Sequence, residues 1–237
     1  MIVSIMQPAY LPWLGYFDRI ARSQTHIVLD HVLIDKNSKT KFANRNKIRT
    51  REGWIWLTVP LQSSGRSSEL FLNRIEIDNS SQWMSKHWRA LQLNYSRAPF
   101  FTDHAPYLEY MYSQEWRLLS DLLHGVTRYL LEALGIKTTL LYSSDLGVTS
   151  QKDQLILDLC RTIGATQYIS GPFGRDYLQE EHFAAAGIEL LYHDYQHPVY
   201  KQVFQGFEPY MSTIDLLLNH GPASLDILMH HGERLCR

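Results

Sequence analysis

Cysteine is nearly missing from this sequence: Cys160 and Cys236 are the two cysteines in 237 residues. That excludes a disulfide framework and a cysteine-rich zinc site, and it fits a reducing, cytoplasmic setting. An excess of one charge is missing too. Lysine and arginine number 23 against 24 acidic residues, a formal net charge of −1, so nothing draws the whole chain to nucleic acid or to an anionic membrane. No apolar run approaches the ~20 residues that cross a bilayer, so no membrane span is expected. No basic segment precedes the short N-terminal apolar run, so a signal peptide is not expected either. Gly-x-Ser-x-Gly and Walker motifs are absent, and no cysteine is placed as a nucleophile.

Apolar residues make up 45% of the chain, enough for one large core, and 1–237 reads as a single α/β domain. Met1–Met6 and Thr25–Val32 are apolar and β-branched, as buried strands are, and the segment between them has apolar residues at helical spacing after Pro12. Strand, helix and strand in so few residues form a parallel βαβ unit. Asp35–Arg51 is polar and basic, Trp54–Leu61 reads as a strand, the Ser-Gly-Arg-Ser segment within 61–70 as a mobile loop, and Arg74–Asp78 as a short strand. Gln82–Leu134 is mainly helical, with breaks expected at Ala98-Pro99 and Ala105-Pro106 and a stop at Gly135. Strands follow at Thr138–Tyr142, Thr166–Ser170 and Ile188–Tyr192, and helices at Gln151–Ile163 and Glu180–Ala186. A terminal helical pair covers Asp215–Asn219 and Ala223–His230. The expected fold is a Rossmann-like, mostly parallel sheet with a helical insertion at about 79–135 and C-terminal helices.

The chain carries Gln7-Pro8-Ala9-Tyr10-Leu11-Pro12-Trp13-Leu14-Gly15-Tyr16-Phe17, then Asp30, Asn44-Arg45-Asn46 and Trp56-Leu57-Thr58-Val59-Pro60. Tyr95 with Ala98-Pro99-Phe100-Phe101, Gly164-Ala165-Thr166, Ser170-Gly171, Gly174 and Tyr177-Leu178 come next. His197-Pro198-Val199-Tyr200-Lys201-Gln202 and Asp215-Leu216-Leu217-Leu218-Asn219-His220-Gly221-Pro222 close the series. In this order, across nearly the whole chain, the motifs resemble the WbqC-like family. The resemblance implies a place in bacterial O-antigen (lipopolysaccharide) or other surface-polysaccharide biosynthesis and a role in transferring glycine. The chain departs from the family at His31 and Ala223, where acidic residues are usual.

The Gln7–Phe17 corner lies at the carboxyl end of the first strand, where open α/β sheets bind ligands. Gln7, Tyr10 and Tyr16 supply polar tips there for substrate, and the alternative is a rigid aromatic plug. A nucleotidyltransferase would carry His-x-Gly-His at this helix start; Trp13-Leu14-Gly15-Tyr16 has neither imidazole. From Lys36 to Arg51 there are seven basic residues and no acidic one, so Asn44, Arg45 and Lys47 can anchor an anionic donor, or the segment is a solvated loop. Ser170, Gly171 and Gly174 allow close approach to a phosphate. His197 suits a general base or substrate ligand, with Asp30 as the other base and Tyr200 and Gln202 beside it on one face; the alternative is a His-Pro turn with its ring bonded to backbone. His193, Asp194 and His197 invite a metal, but Pro198 opposes the helix that would join the two imidazoles, and no metal is expected. No cofactor is assigned.

The leading expectation is an acyl or aminoacyl transferase acting on an amino-sugar or other sugar precursor. Its partners would be a sugar or nucleotide-sugar and an activated, carrier-linked acyl donor. A nucleotide-dependent carboxylate-activating enzyme and a non-catalytic nucleotide-sugar-binding protein are the alternatives.

Overall fold

The computed structural model describes residues 1–33, 43–62, 71–230 and 234–236. Five strands run parallel in one sheet: β1 (Ile2–Met6), β2 (Thr25–Val28), β5 (Thr139–Tyr142), β6 (Gln167–Ser170) and β7 (Glu189–Asp194). A sixth, β8 (Arg234–Cys236), pairs antiparallel with β7 at the edge. The order is β5-β2-β1-β6-β7-β8. The chain leaves β1 on one side through β2 and β5, then returns to its other side at β6. The gap between the carboxyl ends of β1 and β6 is therefore the switch point of a Rossmann-like sheet, where such folds bind ligands.

Alternation along the strands sorts side chains to two faces. Val3, Ile5, Ile27 and Tyr168 pack against α5 (Lys152–Thr162) and α6 (Glu180–Ala185). Met6 faces the other cluster, built from α1 (Leu14–Ala21), α2 (Trp83–Tyr95), α3 (Phe101–Ser113), α4 (Leu119–Leu134), α7 (Thr213–His220) and α8 (Ser224–His230). Gly135 ends α4 at φ +74°, a conformation in which a Cβ would be strained. Cys160 is buried on α5, and burial pushes its thiol up to about 12, so it is inert at neutral pH. Among the described residues, no helix is long and apolar enough to cross a membrane.

Several local expectations need correction. The basic stretch is not all loop: Arg45–Thr50 forms β3, paired antiparallel with β4 (Gly53–Thr58) in a separate hairpin. Asn46, Ile48 and Thr50 are buried while Arg45 and Lys47 are less so; three cations hid the alternation. Lys36, Lys39 and Lys41, and the 63–70 part of the Ser-Gly-Arg-Ser segment, lie outside the described residues. Arg74–Asp78 makes isolated bridges, Glu76 to Leu118 and Ile77 to Leu61, after a 3-10 turn at Leu72–Arg74. Pro106 sits inside α3 without breaking it, sacrificing one backbone bond on an exposed position. The strand expected over Thr25–Val32 ends at Val28.

Candidate functional site

Helical side chains lean toward the helix N-terminus. On α1 this aims Tyr16 and Arg19, three residues apart, at the carboxyl edge of the sheet. Tyr16 is fully buried. Its ring meets that of His26 on β2 at 5.8 Å, and its hydroxyl, which burial holds above the usual tyrosine range, also senses Arg19 and Tyr142. The Thr127 hydroxyl of α4 approaches it without reaching hydrogen-bonding geometry. One turn earlier on α4, His124 lies 4.3 Å from the Tyr142 ring. Burial lowers the pKa of His124, and the Asp30 carboxylate partly offsets that.

Along this path the buried atoms Tyr16 Oη, Arg19 Nε, His26 Nε2, His31 Nε2, His124 Nε2 and Thr127 Oγ1 have no hydrogen-bond partner among the described residues. Buried polar groups are normally satisfied, so a connected set of unsatisfied ones marks a place for water or ligand.

Proton bookkeeping assigns two of these atoms a lone pair. The Ser143 hydroxyl has one proton and donates it to Asp30 Oδ1 at 2.9 Å, since a carboxylate only accepts. Ser143 Oγ then accepts from the Asp30 backbone N–H at 3.1 Å and from His31 Nδ1–H. His31 Nε2 is left as a free acceptor. In the turn before β2, the Ser23 hydroxyl donates to the Ile20 carbonyl at 2.8 Å. Ser4 on β1 must therefore donate to Ser23 and accept from His26 Nδ1–H, both at 2.8 Å. His26 Nε2 is the second free acceptor.

The residues singled out in the sequence fall into separate groups. Gln7, Tyr16, Asp30, Ser170 and Gly171 lie at the carboxyl edge or on the helix above it. Asp30 is buried, and besides Ser143 it accepts from the Ser144 N–H at 2.9 Å and hydroxyl at 2.8 Å. Tyr10 turns away: its hydroxyl bonds Tyr112 on α3 and His87 on α2. The corner around it is a packed joint. Leu11 is held at φ +43°, an outlier for a bulky residue, with its carbonyl taking the Asn46 amide at 2.6 Å.

Asn44 donates to the Val59 carbonyl, and the Arg45 and Lys47 cations stack on Trp56 and Trp54 at 4.3 and 4.0 Å on the hairpin. Tyr200 and Gln202 both donate to Asp215 Oδ2 at 2.8 Å, while Tyr95 donates to Oδ1. That network is closed. His197 donates Nδ1–H to the Pro198 carbonyl and accepts the Tyr210 N–H at Nε2, so both ring nitrogens are occupied by backbone. His193 bonds the buried Asp18, and no group of His, Cys, Asp and Glu able to hold a metal occurs among the described residues.

Gly174 explains how Ser170 fits. A Cβ there would stand 2.0 Å from Ser170 Oγ and 2.9 Å from Leu178. Gly174→Ala is expected to destabilise the protein by about 1–3 kcal/mol in denaturant titrations, and adding Ser170→Gly should recover part of the loss. An open depression of about 350 Å³ between α6 and β7 has Glu180 and Glu189 as its charged lining. Both carboxylates are taken, by Tyr192 and Gln167.

Arg19, His26, His31, His124 and Thr127 were missed in sequence. A histidine inside the apolar strand Thr25–Val28, and an arginine three residues after Tyr16 on a short apolar helix, were the available signals.

Fold and site define an α/β protein with a Rossmann-like switch point and a line of unsatisfied polar groups along its carboxyl edge. The chain belongs to the WbqC-like protein family, whose model matches residues 7–227. It is 38% identical over 240 residues to the protein named "Uncharacterized protein Rv1507c" from Mycobacterium tuberculosis (strain ATCC 25618 / H37Rv), covering 99% of this chain and 98% of the relative. No solved structure matches.

Proposed function

We propose that this chain transfers an acyl or aminoacyl group, such as glycyl, to an amine or hydroxyl of a sugar precursor in cytoplasmic surface-polysaccharide assembly, with His31 as the base. The supporting observation is the relay His31–Ser143–Asp30, which leaves His31 Nε2 without a hydrogen-bond partner among the described residues. In the reaction the acceptor nitrogen or oxygen attacks the acyl carbon of a thioester donor and its proton passes to His31 Nε2. The carbon–sulfur bond breaks, and the sulfur leaves as thiolate. The imidazolium formed is held by Ser143, whose hydroxyl already points to Asp30.

Tyr16, Thr127 and the His26 lone pair are enclosed and suit buried water behind the acceptor, since water both donates and accepts. Acyl chemistry and a sugar acceptor come from the family resemblance. His31 replaces an acidic residue usual in the family, and either side chain can accept a proton. On this reading Asp30 stands behind the base instead of being it.

The test is to incubate the purified protein with glycyl and acetyl thioesters and UDP-linked amino-sugars and follow the acceptor by mass spectrometry. A gain of one acyl group is expected. Pyrophosphate release from ATP without any acyl transfer would overturn this in favour of carboxylate activation.

A further inference from the structure

Arg19 brings a positive charge to this site, and among the described residues no ion pair is formed with it. Its neighbour Asp18 is committed elsewhere, to Arg22 at 2.9 and 3.1 Å and to His193 on β7. No hydrogen bond or ion pair reaches the Arg19 guanidinium among the described residues, and its Nε is buried. The guanidinium lies against Gly171, directly after β6: a Cβ on that residue would stand 2.9 Å from Nη2 and 3.1 Å from Nη1. A glycine is what lets the planar group rest on the turn. Burial pulls its pKa down, and besides Asp18 the groups it meets electrostatically include the phenols of Tyr168, Tyr177 and Tyr16 and the His26 imidazole. Tyr177 is 52% exposed, so this cluster borders solvent on that side. A half-buried guanidinium with no hydrogen-bonded partner among the described residues is costly, and this one sits where Rossmann-like sheets take phosphates.

We infer that the Arg19 guanidinium, seated on Gly171 at the switch point between β1 and β6, binds a phosphate group of a phosphorylated small-molecule substrate. The planar fork of donors matches two phosphate oxygens at once. The subsite deepens the acyl-transfer reading by naming the chemistry of one substrate's far end, and it rests on that reading for which substrate this is. Binding alone tests it.

Inorganic pyrophosphate, UDP and coenzyme A are titrated calorimetrically into the wild type and the Arg19→Gln, Gly171→Ala and His31→Ala variants at fixed ionic strength, with unfolding midpoints recorded for each. Arg19→Gln is expected to weaken pyrophosphate binding about tenfold or more. Gly171→Ala should act in the same direction, because its methyl group displaces the guanidinium while the charge remains. His31→Ala should bind as the wild type does, which separates this subsite from the proposed base. Without ligand, Arg19→Gln should unfold no earlier than the wild type, since it removes a half-buried charge that no hydrogen bond holds among the described residues.

UDP binding more tightly than pyrophosphate would support the subsite and assign it to a sugar nucleotide; coenzyme A doing so would support it and assign it to the acyl donor. Wild-type affinity in both Arg19→Gln and Gly171→Ala, or no binding of any probe to the wild type, would overturn it.

Discussion

Replacing His31 with alanine is expected to slow acyl transfer about a hundredfold or more, the usual range for a lost general base. Pyrophosphate affinity should stay unchanged. The imidazole has one nitrogen spent on Ser143 and the other free, and Ser143 spends its only proton on Asp30. Ser143→Ala cuts this relay at its centre without touching the base. It should lower kcat less than His31→Ala does, because the base stays and only its orienting partner is lost. Asp30→Asn tests the far end, but the Ser144 N–H, the Ser144 hydroxyl and the Ser143 hydroxyl all depend on that carboxylate, so its fold must be checked alongside. Full activity in His31→Ala would end the assignment. Equal loss in His31→Ala and in His197→Ala would show that the two histidines cannot be told apart by this test. The structure argues against that outcome, because His197 has backbone on both ring nitrogens.

Elements whose apolar period is strong were legible in the sequence. The parallel strands and α4, α5 and α6 fall within a few residues of where periodicity puts them, and Gly135, Gly164 and Gly187 stop their helices at positive φ. The hairpin strand β3 was not legible. Its pattern is carried by one aliphatic residue, Ile48, while Asn46 is buried through its bond to the Leu11 carbonyl, a contact 35 residues away in sequence that no local signal encodes. The edge strand β8 is short and takes its register from β7 alone.

For the site, the address was legible and the occupants only in part. The carboxyl edge of β1, β2 and β6 follows from topology, and Tyr16, Asp30, Ser170 and Gly171 lie at that edge or on the helix above it, as the sequence order places them. Polar residues with conspicuous spacing drew attention to Tyr200, Gln202 and His197, yet tertiary contacts turn them inward: Asp215, 13 residues beyond Gln202, gathers Tyr95, Tyr200 and Gln202 into one closed knot. The opposite error hid His26 and Arg19. Each stands in a short, mostly apolar element, and only the three-dimensional count of partners shows that His26 Nε2 and Arg19 Nε lack one among the described residues.

Acid should unfold this protein earlier than its neutral charge balance suggests, and His26 and His87 are the reason. Burial, helped by Arg19, depresses His26 to about 3; burial also depresses His87 to about 4, both against 6.5 in an unfolded chain. Between those values the unfolded state binds protons that the folded state refuses. Stability from these two groups is therefore fully present above about pH 6.5 and falls as pH drops toward 4 and then 3. At roughly 1.4 kcal/mol for each pKa unit, the two together can remove on the order of several kcal/mol, a large share of a typical ~5–15 kcal/mol. Asp215 opposes them. Burial raises its pKa from 3.8 despite bonds from Tyr200, Tyr95 and Gln202, so the folded state takes up that proton first and gains stability as pH falls through the raised value. With two imidazoles depressed and one carboxyl raised, the net slope between pH 6.5 and 4.5 is expected to be a loss. Urea titrations at these two pH values, on the wild type and on His26→Phe, decide it. The phenyl ring fills the site without titrating and should flatten the slope, costing stability at pH 6.5 through the abandoned Ser4 hydroxyl and recovering it at pH 4.5. Identical slopes in the two proteins would mean that His26 protonates in the folded state as easily as in the unfolded one, which its enclosure by Tyr16, Ser4 and the sheet forbids.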